Sequence, residues 1–180
     1  MNKHFAGIDP GLTGCIALID NNAKILNVYD YPNNSRKLFQ VYQRLNKIDG
    51  LTVCIENIMF MGKQSFSAQF RYLATYFEHI YLLNLFEIPY KIVNSQDWKK
   101  EFKLNKTKER LIRPENITDK EFKLIKDRKT RANKKEQKDL SFDIARSFFD
   151  NSDFVLFLRN EHHNRADALL MAEYSRRITK

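Results

Sequence analysis

The sequence is poor in cysteine, glycine and proline, and each shortage excludes a class of protein. Its 180 residues include two cysteines, five glycines and four prolines. Cys15 and Cys54 stand apart inside apolar runs, which excludes a disulfide framework and a cysteine-based zinc site and favours a reducing compartment. So few glycines and prolines leave no low-complexity linker. With 43% hydrophobic residues, the composition predicts a single domain over residues 1–180 that buries a substantial core.

Long apolar runs are also missing. No stretch of about 18 uncharged apolar residues occurs, which is the length that a membrane-spanning helix needs. The first nine residues contain no apolar segment of the kind found in signal peptides. We therefore expect a cytoplasmic, intracellular protein with no membrane among its partners.

The positive charge is concentrated in one part of the chain. There are 31 Lys and Arg against 22 Asp and Glu, a net charge of +9. Residues 97–140 hold 16 of the basic and 9 of the acidic residues, a local net charge of +7. A basic excess of this size predicts a polyanionic partner, with nucleic acid as the first choice. We expect residues from about 105 to 133 to form a basic insertion or arm that contacts phosphates.

The hydrophobic periodicity predicts an α/β fold in which a mixed sheet is covered by helices. The apolar middle strands suit burial on both faces. The predicted strands are His4–Asp9, 14–20, 24–31, Leu51–Glu56 and 90–94, the first three forming an antiparallel meander. Helices are predicted from Ser35, from about Ser67 to Pro89, over 96–100, around 140–148 and over 165–177, with Ser35 and Ser95 as N-caps.

The long second helix predicts a partner subunit. The 3.6-residue period of a helix that faces the core is followed by Phe70, Leu73, Phe77, Ile80 and Tyr81, with Asn84 as a further candidate. Tyr72 and Tyr76 widen this apolar face beyond what one sheet covers. We therefore expect a homodimer that forms along this helix.

Three carboxylates are predicted at strand ends or on a helix that faces them. Asp9 ends the first strand before a Pro-Gly turn, and Glu56 ends an apolar strand. Asp167 opens the last helix, four residues after His163. If the first and fourth strands are neighbours, Asp9 and Glu56 lie side by side, and such close like charges call for a cation between them.

Carboxylate oxygens are the ligands that Mg²⁺ prefers, often as a pair of ions that supports in-line displacement at phosphorus. The acids therefore predict a metal site for phosphodiester hydrolysis. His163 is expected to be a metal ligand or a proton shuttle there, with His162 or Asn164 as the alternative fourth group.

Four motifs stand in order along the chain: GIDPGLTG at 7–14, IEN at 55–57, FMGK at 60–63 and ADAL at 166–169. This series resembles the RuvC-type Holliday-junction resolvases, particularly their bacteriophage branch. The resemblance implies an RNase H-like fold whose five-stranded mixed sheet has the order 3-2-1-4-5. The basic insertion, which we expect before the last two helices, is longer and more basic than the loop that is usual in this family. The resemblance also implies a homodimeric endonuclease that places paired symmetric nicks in four-way DNA junctions. Two Mg²⁺ ions per active site are implied, with Mn²⁺ able to replace them.

The resemblance also implies roles for single residues. Asp9, Glu56 and Asp167 match the metal-binding catalytic acids, and His163 stands where the family has a second Asp or a His. Phe60 matches an aromatic that stacks on a base at the junction, although it lies one residue further from the acid than in the bacterial pattern. The residues expected to contact DNA are Phe60, Lys63, Lys99, Lys100, Lys134 and Lys135.

Three other functions are open from the sequence. The first is a related RNase H-like nuclease that acts on other branched DNA or on RNA. The second is an actin-like kinase or ATPase with residues 9–14 as its phosphate-binding hairpin, although a second Asp-x-Gly hairpin is missing and no nucleotide cofactor is expected. The third is a non-catalytic protein that binds junctions.

Overall fold

A five-stranded mixed sheet forms the centre of the protein. The computed structural model describes residues 3–32, 34–58, 65–104, 113–114, 116–149 and 163–179, with Lys134 described for its backbone alone. The strands are β1 (His4–Asp9), β2 (Cys15–Asp20), β3 (Ile25–Asp30), β4 (Leu51–Glu56) and β5 (Tyr90–Val93). Their order is β3-β2-β1-β4-β5, which confirms the predicted order. The first three strands pair antiparallel, whereas β4 and β5 run parallel to β1.

Helices cover both faces of the sheet. They are α1 (Ser35–Leu45), α2 (Phe66–Leu85), α3 (Ser95–Glu101), α4 (Asp119–Phe148) and α5 (His163–Ile178). The core between α1, α2 and the sheet contains Ile8, Val53 and Ile55. The opposite core lies against α3, α4 and α5 and contains Trp98 and both cysteines, which are free and buried as predicted. Successive side chains of β1 and β4 point to opposite faces, so both cores draw on the same two strands.

Two predicted N-caps are wrong by one residue. Asn34, not Ser35, caps α1, because its side chain reaches the backbone N–H of Lys37 at 3.0 Å. Asn94, not Ser95, holds the extended N-cap position of α3 and makes no side-chain cap bond. An Asn directly before a Ser offers two cap candidates, and the local sequence does not choose between them.

The predicted inner face of α2 is its outer face. Of the predicted stripe, Phe70, Phe77 and Tyr81 are exposed, at 63%, 59% and 64%, and Leu73 and Ile80 are half-buried at its border. Tyr76 packs in the core. The buried face also takes in His79, whose Nδ1 lies 2.8 Å from the Tyr42 hydroxyl. Both faces of this helix are apolar enough to face the core. The predicted helical period is therefore right, but the predicted choice of the inward face is wrong.

The basic segment continues into a single long helix. Helix α4 has 30 residues and joins the second half of the predicted insertion to the predicted penultimate helix. A capping box starts it, in which the Thr118 and Glu121 side chains each accept from the other's backbone N–H. Among the helices that the structure describes, none has the length and apolar character needed to cross a bilayer.

Candidate active site

The ends of two neighbouring strands bring Asp9 and Glu56 together. Ile8 of β1 is paired with Ile55 of β4 in parallel register, so the next residue of each strand lies at the same end of the sheet. Glu56 has a side-chain exposure of 13%, and Asp9 is also half-buried. The prediction required the first and fourth strands to be neighbours, and the strand order meets that condition.

Helix α5 brings the third acid across the same strands. It packs on β1 at Gly7, where an added Cβ would lie 2.1 Å from the carbonyl oxygen of Ala168 and 2.4 Å from the backbone nitrogen of Ala172. A residue without a side chain is therefore required for the helix to approach this closely. Asp167 precedes this contact by one residue, which sets it over the end of β1.

Polar contacts fix the first turn of α5. The Asn164 side-chain amide donates to the carbonyl and the hydroxyl of Thr13, the latter at 3.0 Å. The Arg165 guanidinium forms a bidentate pair with Asp30 of β3, in which Nε lies 2.6 Å from Oδ1. The start of α5 is thus tied to the β1–β2 turn and to an edge strand, and these ties position Asp167.

The three carboxyl groups oppose one another's ionisation. Burial raises the pKa of Asp9 well above its usual value, and the charges of Asp167 and Glu56 raise it further. Burial also raises the pKa of Glu56 and of Asp167, and the charge of Asp167 adds to the increase for Glu56. Three acids that come from β1, β4 and α5 therefore form one electrostatic centre, which we call the acid centre.

Two lysines partly compensate the acid centre. Lys99 Nζ lies 3.8 Å from Glu56 Oε1 and 4.8 Å from the centre of the Trp98 ring. Its charge lowers the pKa of all three acids against the larger effect of burial. Lys138 of α4 acts in the same direction on the pKa of Asp9 and of Asp167. The first of these lysines was predicted as a DNA contact, whereas the second was counted only as part of the basic stretch.

Two buried polar atoms at the acid centre lack a hydrogen-bond partner among the described residues: Asp167 Oδ1 and His163 Nδ1. A buried acceptor without a partner is costly, and a hard cation with carboxylate ligands would satisfy it. The donor chemistry therefore fits Mg²⁺. Within the described ranges, however, no three His, Cys, Asp or Glu side chains stand in a ready-made ligand arrangement.

A groove opens beside the acid centre. It has a volume of about 550 Å³ and lies between the β1–β2 turn, the start of α2 and Asn164. Tyr72 forms part of its wall, and the edge of its ring would lie 3.3 Å from a Cβ at Gly11. Burial and the charges of Asp9 and Glu56 raise the pKa of Tyr72 to about 12. Tyr72 was predicted only as surplus apolar surface, because an aromatic helix gives no sign of which ring borders a turn.

The other predicted site residues fall into two groups. Lys100 and Lys135 are exposed, on α3 and α4 respectively, and neither belongs to the acid centre. Phe60, Lys63 and His162 lie outside the described residues, as does the side chain of Lys134. Asn164, the alternative to His163, is engaged with Thr13.

A mixed sheet in this order, with helices on both faces, defines an RNase H-like fold. The chain is similar to RuvC from Thermus thermophilus in two solved structures. The structure of that protein in complex with a Holliday junction substrate matches with a TM-score of 0.54 and 14% identity, over 94% of this chain and 90% of that one. A second RuvC structure matches with a TM-score of 0.52, 13% identity and the same coverage. No protein-family model and no curated protein sequence matches. At such low identity the likeness shows the fold, and the predicted fold is confirmed.

Proposed function

We propose that this protein is a structure-selective endonuclease that resolves four-way DNA junctions by Mg²⁺-dependent hydrolysis. The observation that carries the proposal is the acid centre, in which carboxylates from β1, β4 and α5 converge at one end of the sheet. Its fold is shared with a RuvC whose structure contains a Holliday junction substrate. The proposed surroundings are an intracellular compartment with DNA, and the resemblance of the four motifs implies the bacteriophage type of resolvase.

Asp9, Glu56 and Asp167 would hold two Mg²⁺ ions, or Mn²⁺ in their place, through carboxylate oxygens. The bound ions supply Lewis-acid activation of water and neutralise charge on the phosphate and the leaving oxygen. His163 contributes a buried Nδ1 without a partner among the described residues, which can complete the ligand set or hold a proton beside the reacting phosphate. The hydrogen bond between Asn164 and Thr13 holds the start of α5, and with it His163 and Asp167, in place.

The lysines around the acid centre are proposed to receive the DNA backbone. The Lys99 ammonium is half-buried between Glu56 and Trp98, where it can meet a phosphate oxygen next to the ions. Lys100 and Lys135 are exposed and free to follow the backbone further out, and Lys63, Lys134 and the stacking aromatic Phe60 remain proposals from the sequence.

A homodimer is proposed through the exposed face of α2. Phe66, Phe70, Phe77 and Tyr81 form an apolar stripe along this helix, and Phe66 is 83% exposed. An apolar stripe of this length is rarely exposed to solvent on a monomeric protein. A two-fold contact along α2 would cover the stripe and supply two acid centres for paired nicks.

The proposal is tested by cutting of a labelled four-way junction in Mg²⁺. Asp9→Asn and Asp167→Asn should each lower the rate by at least about a hundredfold, because an amide cannot replace a charged ligand. Both variants should still bind the junction in gel-shift titrations. Asp143→Asn, which changes an exposed acid of α4, is the matched control and should cut like the wild type. Unchanged cutting by either site variant would overturn the assignment.

A further inference from the structure

Helix α4 has two halves with different surroundings. In its C-terminal half, Ser141, Phe142 and Ala145 are buried, and the two apolar side chains pack in the core with α5. Its N-terminal half, from Asp119 to Asp139, extends past this core, and its described side chains, which exclude that of Lys134, are exposed or only half-buried. Packing therefore identifies the face of the helix that meets the core. The residues of the overhanging N-terminal half that share this face then follow from the helical period.

That face carries a row of cations. At about 100° per residue, Lys120, Arg128, Arg131, Lys135 and Lys138 fall within an arc of about 80°, on the side that Phe142 and Ala145 bury further along. All five are exposed. We call this row the basic ridge. Three acids, Glu121, Asp127 and Asp139, lie about 20° outside this arc, so the five cations are only partly balanced.

The basic ridge starts at the acid centre and leads away from it. Its first member, Lys138, lies close enough to lower the pKa of Asp9 and of Asp167. Its last member, Lys120, is 18 residues earlier on the helix, which corresponds to roughly 27 Å. This distance is the length of about eight base pairs of duplex DNA.

The far end of the ridge is an ordered helix terminus. Glu121 and Thr118 form the capping box, and the Arg113 guanidinium lies 2.7 Å from Asp119. The helix thus begins at its own cap, far from the core that anchors it through Phe142 and Ala145. Cations held on such a frame keep their spacing when a ligand binds.

We propose that the basic ridge binds the phosphate backbone of one duplex arm of the DNA, from the acid centre outward. This proposal rests on the proposed function, because its ligand is the DNA that the acid centre would cut. Exposed cations along one face of a helix can meet successive phosphates of one duplex arm, and this contact requires no particular base sequence. The overhanging half of α4 then sets the direction in which that arm leaves the site.

The opposite face of the same half provides a matched control. Lys126 and Lys129 lie roughly 120–180° from Lys138 around the helix, so they point away from the side that meets the core. A helix that is simply solvated, or that attracts DNA through its total charge, would respond equally to losing two cations from either face. A ridge that binds DNA responds to one face alone.

The test measures DNA binding in chelator, so that no cutting is required. Affinity for a labelled four-way junction is followed by fluorescence anisotropy across a series of salt concentrations. Arg128→Gln/Arg131→Gln should reduce the slope of log K against log salt by about 1.8 for each bound protomer, at about 0.9 for each lost phosphate contact. Lys126→Gln/Lys129→Gln should leave the slope within about 0.5 of the wild type. Arg128→Lys/Arg131→Lys keeps the charges and should restore the slope, and circular dichroism verifies the helix in every variant.

Arm length provides a second readout. A junction in which each arm in turn is cut back to the branch point should lose the effect of Arg128→Gln/Arg131→Gln when the missing arm is the one on the ridge, because Arg131 and Arg128 lie only about 10–15 Å from Lys138 along the helix. Equal slopes for the Arg128→Gln/Arg131→Gln and Lys126→Gln/Lys129→Gln variants would overturn the proposal. So would a slope change that is the same whichever arm is cut back. A wild type that binds through the ridge but cuts nothing in Mg²⁺ would instead refute the proposed function and leave the ridge standing.

Discussion

Asp9, Glu56 and Asp167 make the metal-free protein less stable as they ionise. Burial raises the pKa of each acid in the folded state, and the charge of a neighbouring carboxylate raises the pKa of Asp9 and of Glu56 further. A folded state that holds its protons to higher pH than the unfolded chain binds more protons between the two pKa values. Stability is therefore highest below the unfolded value near 4 and falls as the pH rises through the range in which the folded acids ionise.

Removing one of these charges should stabilise the protein without metal. In chelator at neutral pH, Asp9→Asn is expected to raise the free energy of unfolding by about 0.5–2 kcal/mol, because the amide keeps the shape and removes the repulsion. Urea denaturation across pH checks this, since the gain should shrink toward pH 4, where wild-type Asp9 is protonated. Mg²⁺ should stabilise the wild type more than the variant. A variant less stable than the wild type in chelator at neutral pH would contradict the proposed repulsion.

The residues of the acid centre could be predicted because each stands at the end of an element with a strong pattern. Asp9 and Glu56 are the last residues of apolar strands, and Asp167 lies near the start of a helix. Lys138 and Tyr72 could not be found this way, because they reach the centre from the middle of helices whose orientation depends on tertiary packing. Their side chains repeat residue types that are common along the same helices.

At the scale of elements, the contact between β1 and α5 decides whether the acid centre forms. Gly7 lets the helix backbone lie directly on the strand, and Asn164 and Arg165 fix its first turn. The sequence predicts both elements but not this contact, because a glycine within a strand has several possible causes. The phase of α2 is a similar case, since either face of that helix is apolar enough for the core.

Filling the space at Gly7 should separate α5 from the sheet. Gly7→Ala places a Cβ against backbone atoms of Ala168 and Ala172, which no rotamer change relieves. We expect a loss of about 1–3 kcal/mol in urea denaturation and loss of stabilisation by Mg²⁺, because Asp167 moves with the helix. Gly11→Ala is the control, since its Cβ meets only the Tyr72 ring at 3.3 Å and that ring can shift. Equal tolerance of both substitutions would show that the close approach is not needed.

At the scale of the whole molecule, negative and positive charge occupy different regions that adjoin one another. The acid centre lies at one end of the sheet, and the basic ridge leads away from it along α4. DNA held by the ridge would be repelled by the bare acids, and Mg²⁺ would reverse that repulsion. The exposed stripe of α2 adds a proposed two-fold partner, which would give each junction two acid centres.

Mapping the nicks in a four-way junction tests the central claim most directly. Each strand of the junction is labelled in turn and incubated with the wild-type protein in Mg²⁺ or in chelator. The proposed resolvase should cut two opposing strands at symmetric positions, leave linear duplex and RNA–DNA hybrid intact, and cut nothing in chelator. A single cut in a linear duplex or in an RNA–DNA hybrid, or cutting that persists in chelator, would contradict it.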